Sequence, residues 1–152
     1  MNETELKAYN STIKSYDTEE FLDLWLYRPY GYKCALFFKK HGIHPNVITI
    51  FSIFLGIAAG ICFMTPELRW NILGIFFLLW ANLYDSTDGQ LARLTGQKTR
   101  WGRILDGFAG DVWFFFIYLA TAVRETFEPI PFAPEYQWGV AIWILCSFSG
   151  FW

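Results

Sequence analysis

The sequence predicts an all-α, polytopic helical membrane protein with an N-terminal amphipathic interfacial arm, and three observations carry that expectation. The 152 residues are 54% hydrophobic and 21% aromatic but only 17% charged, which is more apolar and less charged than an ordinary soluble domain. Four apolar runs approach the roughly 20 residues a helix needs to cross a bilayer. Between the second and third of them, acidic and basic residues are concentrated in one short polar join, DSTDGQLARLTGQKTRWGRILDGFAGD, over residues 85 to 111.

Composition also sets exclusions. A net charge of -2 and a pI near 5.6 argue against nucleic acid as a partner, since such binders carry a clustered basic face. Cys34, Cys62 and Cys146 are odd in number, far apart and set among apolar residues, which fits neither a disulfide framework nor zinc-ligand spacing and reads as packing. The first forty residues have scattered charges and no compact apolar core before a small-residue cleavage site, so no cleavable signal peptide is visible.

Residues 1–43 form the arm. Asp17 and Glu20 have capping-box spacing ahead of Phe21, Leu22, Leu24, Trp25 and Leu26, which starts a short amphipathic helix. A second begins near Pro29, carries Leu36, Phe37 and Phe38, and ends at Gly42 behind Lys39 and Lys40. Aromatic faces edged by lysine suit a helix lying in the membrane interface; the same pattern also fits a partner-binding or simply ordered arm.

Residues 44–152 are expected to be the transmembrane catalytic domain, with approximate spans 46–64, 71–92, 103–123 and 136–152. Val47 to Met64 follows His44, Pro45 and Asn46 as an almost unbroken apolar run, and Thr65 to Arg69 makes a turn around Pro66. Ile72 to Tyr84 is short for a span, so its helix is expected to continue through Asp85. The third run, Ile104 to Val123, holds Asp106 and Asp111 near its start, and a loop with Pro129, Pro131 and Pro134 leads to the fourth. Membrane helices usually finish with interfacial anchors, so an ending at Ser149-Gly150-Phe151-Trp152 reads as a truncated product with further C-terminal helices missing.

Orientation follows from the basic residues. Lys33, Lys39 and Lys40 precede the first span and Arg93, Lys98, Arg100 and Arg103 separate the second from the third, whereas the other joins carry Arg69 and Arg124 among Glu67, Glu125, Glu128 and Glu135. The positive-inside rule puts the aspartates on the cytoplasmic side.

On a helix, Asp85, Asp88, Gly89 and Ala92 fall at i, i+3, i+4 and i+7, one face of the 3.6-residue repeat. Carboxylates are hard oxygen ligands for Mg2+ or Mn2+, and glycine and alanine let a bulky ligand approach the backbone. Arg93 at the edge of that face can fork onto phosphate oxygens. Antiparallel pairing of the second and third spans brings Asp106 opposite, with Gly102 one turn before it. A carboxylate at bilayer depth costs roughly 2.5 to 3.5 kcal/mol on insertion scales. Three of them on one volume point to bound cations, and two divalent ions are a common solution for displacement at phosphorus.

Asp85, Asp88, Gly89, Ala92, Arg93, Gly102 and Asp106 stand in the order and spacing of the signature D-x2-D-G-x2-A-R-x7 or x8-G-x3-D-x3-D, and through them the chain resembles the CDP-alcohol phosphotransferase family. The resemblance implies six membrane helices, of which four are present here, and a homodimer. It implies transfer of a phosphoalcohol, expected to be phosphatidyl from CDP-diacylglycerol, from a CDP-linked lipid donor to the hydroxyl of a polar alcohol acceptor, with release of CMP. Carried over by position, Asp85, Asp88 and Asp106 become metal ligands, Gly89 and Ala92 the platform for the cytidine diphosphate, and Arg93 and Thr99 contacts to the donor phosphates. The acceptor stays open among glycerol phosphate, inositol phosphate, inositol and serine.

The chain departs from the signature at its fourth acid. Position 110 is glycine and the carboxylate stands at Asp111, about 140° around a regular helix from Asp106 instead of about 40°. A one-residue bulge, eased by Gly107 and Gly110, would restore the direction. Asp111 is therefore expected as general base and further metal ligand, against the reading in which it faces a loop, a dimer contact or a basic partner. His41 and His44 read as interfacial or capping residues, and Asn46 either as a helix cap or as a reach toward the nucleotide. The rival function is a non-catalytic divalent-cation transporter or sensor, whose intramembrane acids also bind metal.

Overall fold

The computed structural model describes residues 9–12, 23–127 and 142, and the regular elements among the described residues are helical. A π-helical turn at Asp23–Tyr27 runs into α1 (Arg28–Lys40), followed by α2 (Pro45–Phe63), α3 (Leu68–Thr95) and α4 (Arg100–Phe127). The expected capping box at Asp17 and Glu20, the fourth span 136–152 apart from residue 142, and Cys146 lie outside the described residues.

Local chemistry sets the helix ends. Pro29 occupies the first turn of α1, where a missing N–H costs nothing. At its other end Gly42, at φ +66°, takes the left-handed position that only glycine adopts freely. The Gly42 and Ile43 amides donate to the carbonyls of Lys39 and Phe38 at 3.1 and 3.0 Å, a Schellman closure. His41 Nδ1 adds a hydrogen bond to the Phe37 carbonyl at 2.8 Å. His44 Nδ1 accepts the Asn46 amide at 3.2 Å as α2 begins, so both histidines act at helix ends. Gly96, at φ +71°, closes α3 in the same left-handed conformation.

α2 and the Arg100–Arg124 part of α4 are long and apolar enough to cross a membrane. α3 is one unbroken helix of 28 residues, about 42 Å at 1.5 Å per residue and so longer than the roughly 30 Å hydrocarbon layer. Its apolar first half continues into the polar stretch from Asp85 to Arg93. α4 is α-helical from Arg100 to Phe127, without the bulge that would turn Asp111 by one residue.

The chain divides into two compact units, Met1–Ser52 with Trp80–Ala109, and Ile53–Leu79 with Gly110–Trp152. In the first, Ala35 of α1, Ile48 of α2 and Leu91 of α3 form a buried core against which Phe38, Ile43, Tyr84 and Leu94 pack. Burying a leucine such as Leu91 contributes about 2 kcal/mol. In the second, Gly56 and Gly60, spaced i, i+4 on α2, take in α4: a Cβ at Gly56 would lie 1.9 Å from Trp113, and one at Gly60 would lie 2.5 Å from Phe116. Small residues at that spacing are the usual means of close helix approach in membranes. Cys62 is buried and Cys34 half-buried, and both are free thiols; burial pushes the Cys34 thiol up, as expected of an inert packing residue.

Candidate active site

The site lies in the first unit and is built from three helix ends. α3 contributes one face of its polar half, α2 its first turn, and α4 its start. Asp85, Asp88 and Asp106 each present a carboxylate oxygen within 4.8 Å of the others, which brings together the pair at i, i+3 on α3 and the acid from α4. Asp88 is only 4% exposed, and its Oδ2 accepts a hydrogen bond from the hydroxyl of Thr49 on α2.

A cleft of about 340 Å³ opens beside these acids, with Asp88 and Asp106 in its lining. Gly89 and Ala92 lie along it, and the Arg93 guanidinium lies over Gly89, its Nη1 3.3 Å from where a Cβ would stand. Arg93, Lys98 and Arg103 also line it, giving a set of cations near the carboxylates. The lining combines hard oxygen donors suited to a divalent ion with guanidinium and ammonium donors suited to phosphate oxygens.

Close approach is built in at Gly102. A Cβ there would come within 3.1 Å of Thr99 Oγ1 and 3.2 Å of Asn46 Oδ1, so glycine keeps this end of the cleft open. Thr99 has a structural duty of its own. Its Oγ1 accepts the Gly102 amide at 2.9 Å, the hydrogen bond of an N-cap residue, and it starts α4 at Arg100, earlier than the apolar pattern indicates. Asn46 lines the cleft from the first turn of α2.

Asp111 is half-buried in the second unit and is not part of the converging carboxylate group, which among the described residues comprises Asp85, Asp88 and Asp106. Sequence reasoning passed over Thr49. Its signal was present, since Thr49 and Ser52 are hydroxyls at i, i+3 in an otherwise apolar span.

The opposite face of α3 is equally specific. Ser86, Thr87 and Gln90 meet α1 at Gly31, where a Cβ would stand 3.0 Å from Gln90 Nε2 and 3.4 Å from the hydroxyls of Ser86 and Thr87. Gln90 Nε2 donates to the Arg28 carbonyl at 3.2 Å, and Lys39 Nζ donates to the Leu94 carbonyl at 3.3 Å. The arm helix is thus docked by one face on the helix that carries the acids, while Tyr30, Leu36 and Phe37 remain exposed.

Comparison with known proteins gives the same stretch a context. The family model for CDP-alcohol phosphatidyltransferase matches residues 42–149. An uncharacterised protein of Aquifex aeolicus is 43% identical over 70 residues, 46% of this chain and 34% of the relative. A phosphatidylinositol phosphate synthase of Mycobacteroides abscessus is 31% identical over 85 residues, 49% of this chain and 37% of the relative. A protein of the same name from Streptomyces avermitilis is 31% identical over 74 residues, 47% of this chain and 29% of the relative. The matched part spans about a third of the length of these curated relatives.

Proposed function

The chain belongs to the CDP-alcohol phosphatidyltransferase family, and on that premise we propose that it transfers a phosphatidyl group from CDP-diacylglycerol to the hydroxyl of a polar alcohol, releasing CMP. The observation that carries the reading is the convergence of Asp85, Asp88 and Asp106 within 4.8 Å beside a cleft lined by Arg93, Lys98 and Arg103. That donor set fits hard divalent cations, and we take Asp85, Asp88 and Asp106 as their ligands. Bound there, two Mg2+ or Mn2+ ions supply Lewis-acid polarisation of the phosphoryl group and charge stabilisation for the leaving CMP.

The remaining work falls to the chain's own groups. Gly89 and Ala92 let the cytidine diphosphate lie against α3, and Arg93, with Thr99, holds its phosphate oxygens. The acceptor oxygen forms a bond to the phosphatidyl phosphorus as the bond from that phosphorus to the CMP oxygen breaks, and CMP leaves with the electron pair. The acceptor's proton goes to a base, for which Asp111 is proposed on its place in the sequence alone. The family resemblance further supports a homodimer, and the charge pattern supports an active site on the cytoplasmic side.

The test is CMP release by the full-length protein in lipid, with CDP-diacylglycerol and a panel of alcohols. Acceptors whose product is a phosphatidylinositol phosphate come first, since two relatives carry that product in their names. Release that requires Mg2+ or Mn2+ and vanishes in Asp85→Ala and Asp106→Ala is expected. Undiminished release in those variants would remove the mechanism, and cation flux without affinity for CDP would favour a transporter.

A further inference from the structure

Three helices meet around Asp88, and the contact from α2 is the one the proposed reaction leaves unused. We propose that Thr49 is a positioning residue for the metal site: its hydroxyl holds the Asp88 carboxylate by one oxygen, leaving the other to face a cation. The inference rests on the metal-site reading above.

Asp88 and Thr49 are 4% and 3% exposed, so little of either group reaches solvent, and a buried carboxylate is costly without donors. Thr49 Oγ1 donates to Asp88 Oδ2 across 39 residues of sequence. A threonine inside a helix normally turns its hydroxyl back to the carbonyl four residues earlier. Here that carbonyl, of Pro45, lies 3.3 Å from Thr49 Oγ1 and the Asp88 oxygen is the nearer acceptor. One hydroxyl proton serves one acceptor well, and a carboxylate is the stronger of the two. Ser52 does not compete for Asp88, because its own Oγ donates to the Thr49 carbonyl at 2.7 Å.

A further feature gives the contact its purpose. Asp85 and Asp88 stand on one helix and are fixed relative to each other, whereas Asp106 comes from another. Thr49, on a third helix, holds the buried member of the set in one rotamer. Partners that orient metal ligands in this way typically control affinity by about 10- to 100-fold.

The experiment is Mn2+ binding to the full-length protein in nanodiscs, followed by electron paramagnetic resonance of the free ion, with thermal melts of the metal-free protein alongside. Thr49→Val keeps the shape and removes the donor; it should weaken Mn2+ by about 10- to 100-fold, and Thr49→Ser should restore affinity to within about threefold. Should valine not fold, Thr49→Ala removes the same donor and is read in its place. Wild-type Mn2+ affinity in the folded donorless variant overturns the proposal, as does a serine variant as weak as the valine one. Asp88→Ala and Asp106→Ala separate the two readings: if they bind Mn2+ as wild type does, the metal site itself is wrong. If only they lose it, the site stands and Thr49 is a packing residue.

Discussion

The two faces of the polar half of α3 differ in what they ask of their residues. One face presents Asp88, Gly89 and Ala92 to a cleft, and on it Asp85 and Asp88 meet a third acid from α4. The other presents Ser86, Thr87 and Gln90 to Gly31 of α1, where the requirement is closeness and neutral hydrogen bonding. Ser86 and Gln90 are a helical turn apart, and Gln90 donates to both Ser86 Oγ and the Arg28 carbonyl. The same helical turns therefore carry charge where the carboxylates converge and uncharged polar groups where another helix docks. Substitutions on the first face should cost function, and substitutions on the second should cost stability.

The largest effect belongs to the acids. Asp88→Ala or Asp106→Ala removes a proposed ligand, and losing several kcal/mol of transition-state stabilisation corresponds to a fall of about 10³-fold or more in CMP release. Mn2+ binding should fall with it, while the melting temperature of the metal-free protein should hold or rise as like-charge repulsion is relieved. A variant that melts early but still turns over would erase the contrast between the faces.

Asp111 extends the contrast along α4. If it takes the acceptor's proton, Asp111→Asn should slow turnover by about 10²- to 10⁴-fold and leave Mn2+ affinity as it is, a split that no ligand of the acidic group would give. Equal losses of both would make it a ligand, and no loss of either would leave it without a role in the chemistry.

On the docking face the sign reverses. Gly31→Leu forces a side chain into a gap that leaves a Cβ only 3.0 Å from Gln90 Nε2, and overpacking of this kind costs about 1–3 kcal/mol. The measurement is denaturant or thermal unfolding in detergent, with CMP release per folded molecule expected within a few-fold of wild type. A large loss of turnover at unchanged stability would mean that the arm shapes the site as well as bracing it.

What the sequence made legible follows the same division. The all-α architecture could be read because apolar runs are bounded by Pro45, Pro66 and the polar join. The pairing of Asp85 with Asp88, Gly89 and Ala92 could be read because spacing along one helix fixes a face. Contacts between distant segments could not. Gln90 finds Arg28 across 62 residues and Thr49 finds Asp88 across 39, and neither follows from periodicity, since they depend on which small residue lets two helices approach. The first turn of α4 is polar, Arg100, Trp101, Gly102 and Arg103, and the Thr99 cap, which accepts the Gly102 amide, begins it ahead of the apolar run.

Thr99 gives the smallest effect and the finest test, because it stands between the two kinds of duty. As an N-cap its loss in Thr99→Ala should cost about 1 kcal/mol of stability, and if capping is its whole role the KM for the CDP-linked donor should not move. Thr99→Asp separates the alternatives. Aspartate caps as well as threonine, and its charge is favoured at a helix N-terminus, so stability should return to wild type or slightly above. If the cleft holds the donor diphosphate as proposed, the same charge repels it, and KM should rise while kcat changes less. A stable aspartate variant with wild-type KM would make Thr99 a cap alone; one with a raised KM would put the start of α4 against the donor phosphates.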